Sequence, residues 1–516
     1  MKIERIKNAT RNIVFGTVLK IYQILIPFLM RTVMIYFMGV QYLGLNSLFT
    51  SILQVLNLAE LGVGSAMVYS MYKPIAEDDS KSICALMRLY RTYYRGIGAV
   101  IAVVGVVMTP LIPHLINSSL PPELNIYVLY LLNLAATVLS YWLFAYKNAL
   151  FQAHQRTDIT SKVTLLTSTI QYGAQIFVIA CLKDYYIFVM VALATQILTN
   201  LITAIAATKM YPQYHAEGKL KVEDIQQINR KIKDLFTAKL GATIVNSADT
   251  IVISAFLGLT MLAVYQNYYY IMSSVVAFIL IFLSSCTAGI GNSLAIETLD
   301  KNYKDFKKLM FLLAWIVAIC VCCFLCAYQP FMTIWVGEDF LLPFSCVILF
   351  CIYFYCYVMN HLFCTYKDAA GLWHEDRFRP LIAAMINLVL NLLMVNRYGI
   401  HAILLSTILS YILVAMPWLI YNVFTVLFKR SYKEILKNLI SYIVVTIMSA
   451  SITYLIAERM PGSGVINLVI RLVVCQIFPN IMFIICFRNK TEFSEAVDLV
   501  DKVTKYKFTK FLKKIQ

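Results

Sequence analysis

The chain has 516 residues, 60% of them hydrophobic and 14% charged, with a mean hydropathy of +0.73 and a formal net charge of +17. That much apolar surface excludes a soluble domain and fits a polytopic protein whose solvent is lipid. The positive charge does not point to nucleic acid, because the basic residues fall mostly in short loops between apolar runs, where they set orientation in a membrane.

Runs such as IAVVGVVMTPLIPHLI are apolar on every face, so the spans are α-helices rather than alternating barrel strands. A hydrocarbon core of ~30 Å needs roughly 20 helical residues per crossing. The sequence then divides into fourteen spans, near 13–38, 43–70, 92–116, 125–149, 161–182, 185–208, 236–258, 262–290, 309–332, 341–365, 379–396, 400–428, 436–457 and 465–487. The N-terminal Lys2, Arg5, Lys7 and Arg11 precede an apolar run of membrane length with no A-x-A-like cleavage site, which reads as a retained first helix. With the N-terminus inside, the inside segments all carry Lys or Arg, and the outside loops hold only Lys183, Arg397 and Arg459. This is the positive-inside pattern, and it places both termini in the cytoplasm.

Between the first two spans lies a Gly-containing reversal, FMGVQYLGLN (37–46), and FLGLTMLAVYQN (256–267) echoes it. LGVGSAM (61–67) likewise resembles AGIGNSL (288–294), and TPLIPHLI (109–116) sits like QPFMTIWVG (329–337). The order and the direction of crossing repeat, which predicts a parallel duplication: a six-helix lobe at 1–208, a cytoplasmic linker at 209–235 and a second six-helix lobe at 236–428. Two further helices (429–487) form an appendage, and a basic amphipathic tail (488–516) reads as a helix on the inner surface, with Phe493, Val497, Val500, Phe508, Phe511 and Leu512 at helical spacing.

Charged side chains at membrane depth are expensive and mark function or a buried partner. Arg31 lies well inside the first span; it either snorkels to the outer headgroups or faces a wet cavity that holds an anion. Asp249 lies deep in the seventh span within NSADTIVISAFLG, where Asn246, Ser247 and Thr250 make a polar patch. It is either a hydrogen-bonded structural aspartate or a cation or proton site. Glu60 lies in the inner half of the second span, where it is either solvated at the interface, bonded structurally, or a functional acid. Lys239 and Arg471 read as interfacial anchors, and His361 as a packing residue. Tyr268 to Tyr270 fall at a depth where they either pack or stack on sugar faces. The cysteines, including Cys320, Cys322, Cys323 and Cys326, read as small packing residues rather than a metal cluster. No outside loop is long enough for a catalytic domain, its acids (Glu123, Asp184, Glu338, Asp339 and Glu458) are scattered, and no G-x-x-x-x-G-K-[ST] appears. An enzyme, such as a membrane polysaccharide polymerase, is therefore disfavoured.

The pattern R-x₇-G-x₄-G (Arg31, Gly39, Gly44), the segment AELGVGSA and the run from Asp249 to Gly258 resemble bacterial polysaccharide flippases, the O-antigen and capsule repeat-unit transporters of the multidrug/oligosaccharidyl-lipid/polysaccharide exporter superfamily. The family's D-L-G-x-G stands here as Glu60-Leu61-Gly62-Val63-Gly64. The resemblance implies a V-shaped, all-α fold of two lobes in the bacterial cytoplasmic membrane, without a cofactor. It implies an undecaprenyl-pyrophosphate-linked oligosaccharide moved from the inner to the outer leaflet by alternating access. Arg31, Asn246, Asp249 and Tyr268 become candidates for the substrate cavity. Asp249 and Glu60 become candidates for coupling to a proton or sodium gradient. Membrane lipids, a polysaccharide polymerase and chain-length machinery become the expected partners. A drug or cation antiporter of the same superfamily and a peptidoglycan lipid-precursor flippase remain alternatives. Arg31 weighs against the antiporter, whose cavity favours acids.

Overall fold

The structure is a computed structural model that describes residues 5–504 apart from 119, 122, 461 and 463; the side chains of 5–7, 9, 10, 59, 234, 237–239, 242, 245, 246, 288, 499, 500 and 502–504 lie outside the described residues. Among the described residues there is helix and no strand. The helices are α1 (Arg5–Phe37), α2 (Val40–Leu56), α3 (Val63–Ala76), α4 (Ser80–Met108), α5 (Ile126–Trp142), α6 (Asn148–Ala153), α7 (Thr157–Phe177), α8 (Tyr185–Met210) and α9 (Val222–Ile296). They continue as α10 (Leu299–Val336), α11 (Phe344–Ala369), α12 (Trp373–Asp376), α13 (Arg379–Tyr398), α14 (Ile400–Ser410), α15 (Met416–Asn422), α16 (Lys433–Glu458), α17 (Gly464–Phe487) and α18 (Thr491–Thr504).

Among the described residues, eleven helices are long and apolar enough to cross a membrane, or twelve with the bent pair Ile126–Trp142 and Ala145–Ala153. One of these, Ser247–Ile296, has 50 residues, enough for two crossings, and is kinked at Gly258 (φ 86°, ψ 171°). The second expected span is cut into α2 and α3, of 17 and 14 residues, each too short to cross alone. Reading the first as two spans and the second as one recovers the fourteen expected. The chain is a multi-pass membrane protein.

Short side chains start the helices at the connections. Asn125 caps α5 by accepting from the N–H groups of Tyr127 and Val128, and Asp184 caps α8 through Tyr186 and Ile187. Lys183 takes a left-handed φ of 53°, which closes the tight α7–α8 hairpin that Lys183 and Asp184 alone were expected to make.

The chain divides into two compact units, Met1–Ala263 and Val264–Gln516. The second unit starts 28 residues beyond the expected start of the second lobe at 236. The reason is packing: α9 up to Ala263 belongs to the first unit, and its stretch to Leu259 is held there by close contacts. A Cβ on Gly44 of α2 would lie 2.2 Å from the Leu259 carbonyl oxygen. The Asn117 N–H donates to the Ser254 carbonyl at 3.0 Å, and its side-chain amide donates to Phe256 O at 2.8 Å. The linker is docked as well. Arg88 and Arg91 of α4 donate to the carbonyls of Gly218 (3.0 Å) and Ala216 (3.2 Å), and from Val222 onward the linker is already part of α9.

In the second unit α10 is the hub. The two helices read as an appendage, α16 and α17, pack along it: Arg471 donates to Cys326 O at 3.3 Å and to Asn467 at 2.6 Å, and the Cys475 thiol donates to Cys322 O at 3.4 Å. Arg471 is thus a helix tie rather than an interfacial anchor. The tail also departs from expectation. α18 packs on α10, with Phe493 2% exposed and stacked 5.6 Å from Trp315, and Glu492 meets Lys307 at 3.2 Å. Phe508, Phe511 and Leu512 lie outside the described residues.

A carboxylate at two broken spans: the candidate functional site

The second span is interrupted where the sequence places Glu60. After α2 a 3₁₀ turn runs over Asn57–Glu60, Leu61 swings to ψ 117°, and Gly62 takes φ 91° before α3 begins. Glycine is required there twice over. The left-handed φ is costly for any residue with a Cβ, and a Cβ would lie 2.7 Å from Leu235 Cβ and 3.0 Å from Ile232 O.

The fourth span, in the same unit, is interrupted as well. α5 ends at Trp142, Phe144 takes φ 58°, and the chain bends by 49° into α6. The Trp142 indole donates to Arg95 O at 3.2 Å. Interrupted spans free backbone groups at membrane depth, which is tolerated where protein or a polar cavity surrounds them.

Glu60 ties the two interruptions together. Tyr141, the residue before Trp142, donates its hydroxyl to Glu60 Oε2 at 2.7 Å and reaches Asn57 Oδ1 at 3.1 Å. From α4, the Tyr94 hydroxyl donates to Glu60 Oε1 at 2.5 Å, and the Tyr90 hydroxyl donates to that of Tyr94 at 2.6 Å. Tyr90, Tyr94 and Tyr141 are 4%, 6% and 7% exposed. Every donor in this chain of hydroxyls points toward the carboxylate, and the described partners of Glu60 are neutral. Charge-assisted hydrogen bonds of this kind contribute roughly 1.5–3 kcal/mol each. Two of them offset the ~2.5–3.5 kcal/mol that an acid costs near mid-membrane. The arrangement is an acceptor-only group at the end of a hydroxyl chain, chemistry suited to holding a proton or a small cation.

The other expected site residues are spread out. Asp249 is 7% exposed on α9, in a stripe with Ser247, Thr250 and Ser254 that are all buried. Ser247 donates to Gln54 Oε1 of α2 at 3.4 Å, and Ser254 to Leu115 O at 2.7 Å. Arg31 is half-buried on α1. The side chains of Asn246 and Lys239 lie outside the described residues. Tyr268 belongs to the second unit and is fully buried; its hydroxyl donates to Gln329 at 2.7 Å and accepts from the Leu342 N–H at 3.2 Å, and its ring stacks on Phe350. His361 packs its ring 4.7 Å from Tyr357.

Two ionic clasps escaped the sequence reading. In the first unit Asp158 is fully buried and meets Arg156 at 2.9 Å and Lys162 at 3.5 Å. Beside it His154 is buried under Tyr211, and burial pushes its imidazole below the ordinary histidine value. In the second unit Asp376 meets Arg379 at 2.5 Å and Lys367 at 3.2 Å. Both clasps occupy the connection between the fourth and fifth spans of their half. The signal was in the sequence as HQRTD (154–158) and HEDRFR (374–379), each charged and flanked by apolar spans.

No family model matches the chain, and no curated protein matches it in sequence. Solved structures do. A lipid II flippase MurJ, in an inward closed conformation, superposes with a TM-score of 0.67 at 13% identity, covering 92% of this chain and 99% of its own. An inward-facing multidrug resistance MATE family transporter of the MOP superfamily gives 0.57 at 13%, covering 76% and 92%. A MOP superfamily transporter from Pyrococcus furiosus, described by the reverse polarity of its binding pocket, gives 0.51 at 12%, covering 80% and 94%. The chain has the fold of these transporters.

Proposed function

We propose that this protein is a flippase of the bacterial cytoplasmic membrane that moves an undecaprenyl-pyrophosphate-linked oligosaccharide from the inner to the outer leaflet for surface polysaccharide synthesis. The observation that carries the reading is coverage. The lipid II flippase fold accounts for 92% of this chain, whereas the MATE transporter leaves about a quarter of it unmatched. A lipid-linked cargo needs only a hydrated path for its headgroup, since the tail stays in hydrocarbon. Arg31 is the cation for the pyrophosphate, and Glu60 and Asp249 are the acids for a coupling proton or sodium ion. A peptidoglycan lipid precursor is the second reading, favoured by the same superposition.

The test is a deletion strain. Loss of surface polymer, with lipid-linked repeat units trapped on the inner leaflet, supports the proposal. Intact polymer with lipid II accumulating inside moves the cargo to the peptidoglycan precursor. Intact polymer with new sensitivity to cationic drugs moves the protein to the antiporters. In a complementation assay Arg31→Ala and Asp249→Asn abolish transport while the protein still inserts; normal transport by both variants removes them from the site.

A further inference from the structure

A second polar cavity lies in the first unit, apart from the Glu60 cluster and sharing no residue with it. It measures about 690 Å³ and opens between the end of α3, the start of α4 and the first turns of α9. That is the size range of small-molecule sites.

Two tyrosines one helical turn apart, Tyr69 and Tyr72, face it with 61% and 47% of their surface uncovered by protein. Their rings stand 6.2 Å apart at 71°. Lys231 of α9 holds its ammonium 4.5 Å over the Tyr69 ring. Tyrosines of an interfacial belt are set among apolar neighbours and lipid. Here Lys231, Asp224 and Gln227 of α9 and Lys73 of α3 share the lining with the apolar Pro74, Leu86, Leu220 and Ile228.

The chemistry of the lining narrows the ligand. Of its three acids, Asp79 is engaged as the cap of α4 through Ser82, and Glu77 lies 3.9 Å from Lys73. Asp224, Gln227, Lys231 and the two rings remain for a ligand. Acids beside lysines do not suit a bare polyanion, and the lysines do not suit a drug cation. A sugar fits the set. Its C–H face covers an aromatic ring, its hydroxyls donate to a carboxylate and an amide oxygen, and an anionic substituent meets an ammonium.

We propose that this cavity is a docking subsite for the glycan part of the cargo, carrying a phosphate or carboxylate toward Lys231. The proposal rests on the lipid-linked-glycan reading above.

The experiment is saturation-transfer NMR on the full-length protein in lipid nanodiscs. The probes are the 1-phosphates of glucose, galactose and N-acetylglucosamine and the corresponding neutral sugars, with glycerol 1-phosphate as a separate arm and inorganic phosphate as a competitor. Transfer to sugar-ring C–H protons is expected. It should fall at least fivefold in the Tyr69→Ala/Tyr72→Ala double variant, survive in Tyr69→Phe/Tyr72→Phe, and lose its preference for phosphorylated over neutral sugar in Lys231→Ala. Equal binding of glycerol 1-phosphate, an undiminished signal in the alanine double variant, or no signal from any sugar overturns the proposal. The two readings fail separately. Sugar binding in a protein whose deletion leaves lipid-linked glycans correctly exposed refutes the cargo, and a working flippase without ring contacts refutes only the dock.

Discussion

Replacing Glu60 tests whether one carboxylate joins two interrupted spans. Glu60→Ala removes the acceptor of two hydroxyls at once. Tyr141 keeps Asn57 at 3.1 Å, so its loss is partial. Tyr94 keeps only the bond it receives from Tyr90, and its own donor is stranded. A lost charge-assisted bond and a stranded buried donor together cost roughly 3–5 kcal/mol. Deleting the charge gives back part of the ~2.5–3.5 kcal/mol it costs near mid-membrane. A net destabilisation of about 1–2 kcal/mol is expected, with less for Glu60→Gln, whose amide oxygen still accepts one hydroxyl. The decisive assay is a double-mutant cycle in nanodiscs, pairing Glu60→Gln with Tyr94→Phe and with Tyr141→Phe. Coupling of about 1–2 kcal/mol to Tyr94 is expected, and a smaller value to Tyr141, where Asn57 substitutes. Additivity within ~0.5 kcal/mol for both pairs would refute the tie.

Three further outcomes follow from the geometry. Gly44→Ala places a methyl 2.2 Å from a backbone carbonyl that has little room to yield, so it should cost more than about 2 kcal/mol in thermal denaturation, while Gly16→Ala, with nothing within 4 Å, should be neutral. Asp376→Ala strands the buried Arg379 and should destabilise by roughly 3–5 kcal/mol; Asp158→Ala, whose partners Arg156 and Lys162 stay partly in solvent, should cost less, and Asp300→Ala, which breaks an exposed pair with Arg430, should cost under about 0.5 kcal/mol; folded yield and melting of the three variants decide it. Burial alone would raise the Glu492 carboxyl, but its own backbone N–H and the Lys307 ammonium bring it below the ordinary glutamate value. A depressed carboxyl stabilises the docked state above its unfolded pKa, and that contribution is lost as pH falls through the lower folded value. Hydrogen exchange in 491–501 should therefore rise on acidification below about pH 4, and not in Glu492→Gln.

Much of the architecture was legible because lipid imposes length and composition on every span. The repeated F-x-G was legible too: Gly39 (φ 107°, ψ 162°) and Gly258 (φ 86°, ψ 171°) adopt the same backbone conformation. The pairing of Gly62 with Gly289 does not carry over to conformation. Gly62 breaks its span because Leu235 and Ile232 press against it, while Gly289 has nothing within 4 Å and stays helical. That difference lies in tertiary packing, which two similar heptapeptides do not encode. Glu60 stood out as an acid at membrane depth, but its partners did not. Tyr90 and Tyr94 are two of 34 tyrosines at ordinary helical spacing, and Tyr141 is 81 residues away from Glu60. The docking of α18 was missed for a similar reason: an amphipathic helix reads the same whether lipid or protein covers its apolar face.

Each unit buries an ionic clasp, and beyond it the two differ in a way that bears on the proposed ion coupling. In the second unit α13 and α14 are joined by Asn387, Asn391, Ser406 and Thr407, all buried: Asn387 donates to Thr407 at 3.0 Å, and Ser406 donates to Asn391. These groups are neutral, so the clamp holds in one protonation state and adds rigidity without sensitivity to ions. In the first unit Glu60 is a carboxylate whose described partners are phenols, placed where two helices are already interrupted. Only a group that changes charge or takes up a cation gives an ion different free energies in two conformations, and without that difference a gradient shifts nothing. Glu60 also has the mechanical connection a coupling site needs, since each of its oxygens is bonded to a different helix and one of those helices breaks a residue later. Under the proposed coupling, Glu60→Gln should insert normally and transport at a rate independent of the ion gradient; full gradient dependence in that variant removes Glu60 from the proposal and leaves Asp249 as its candidate.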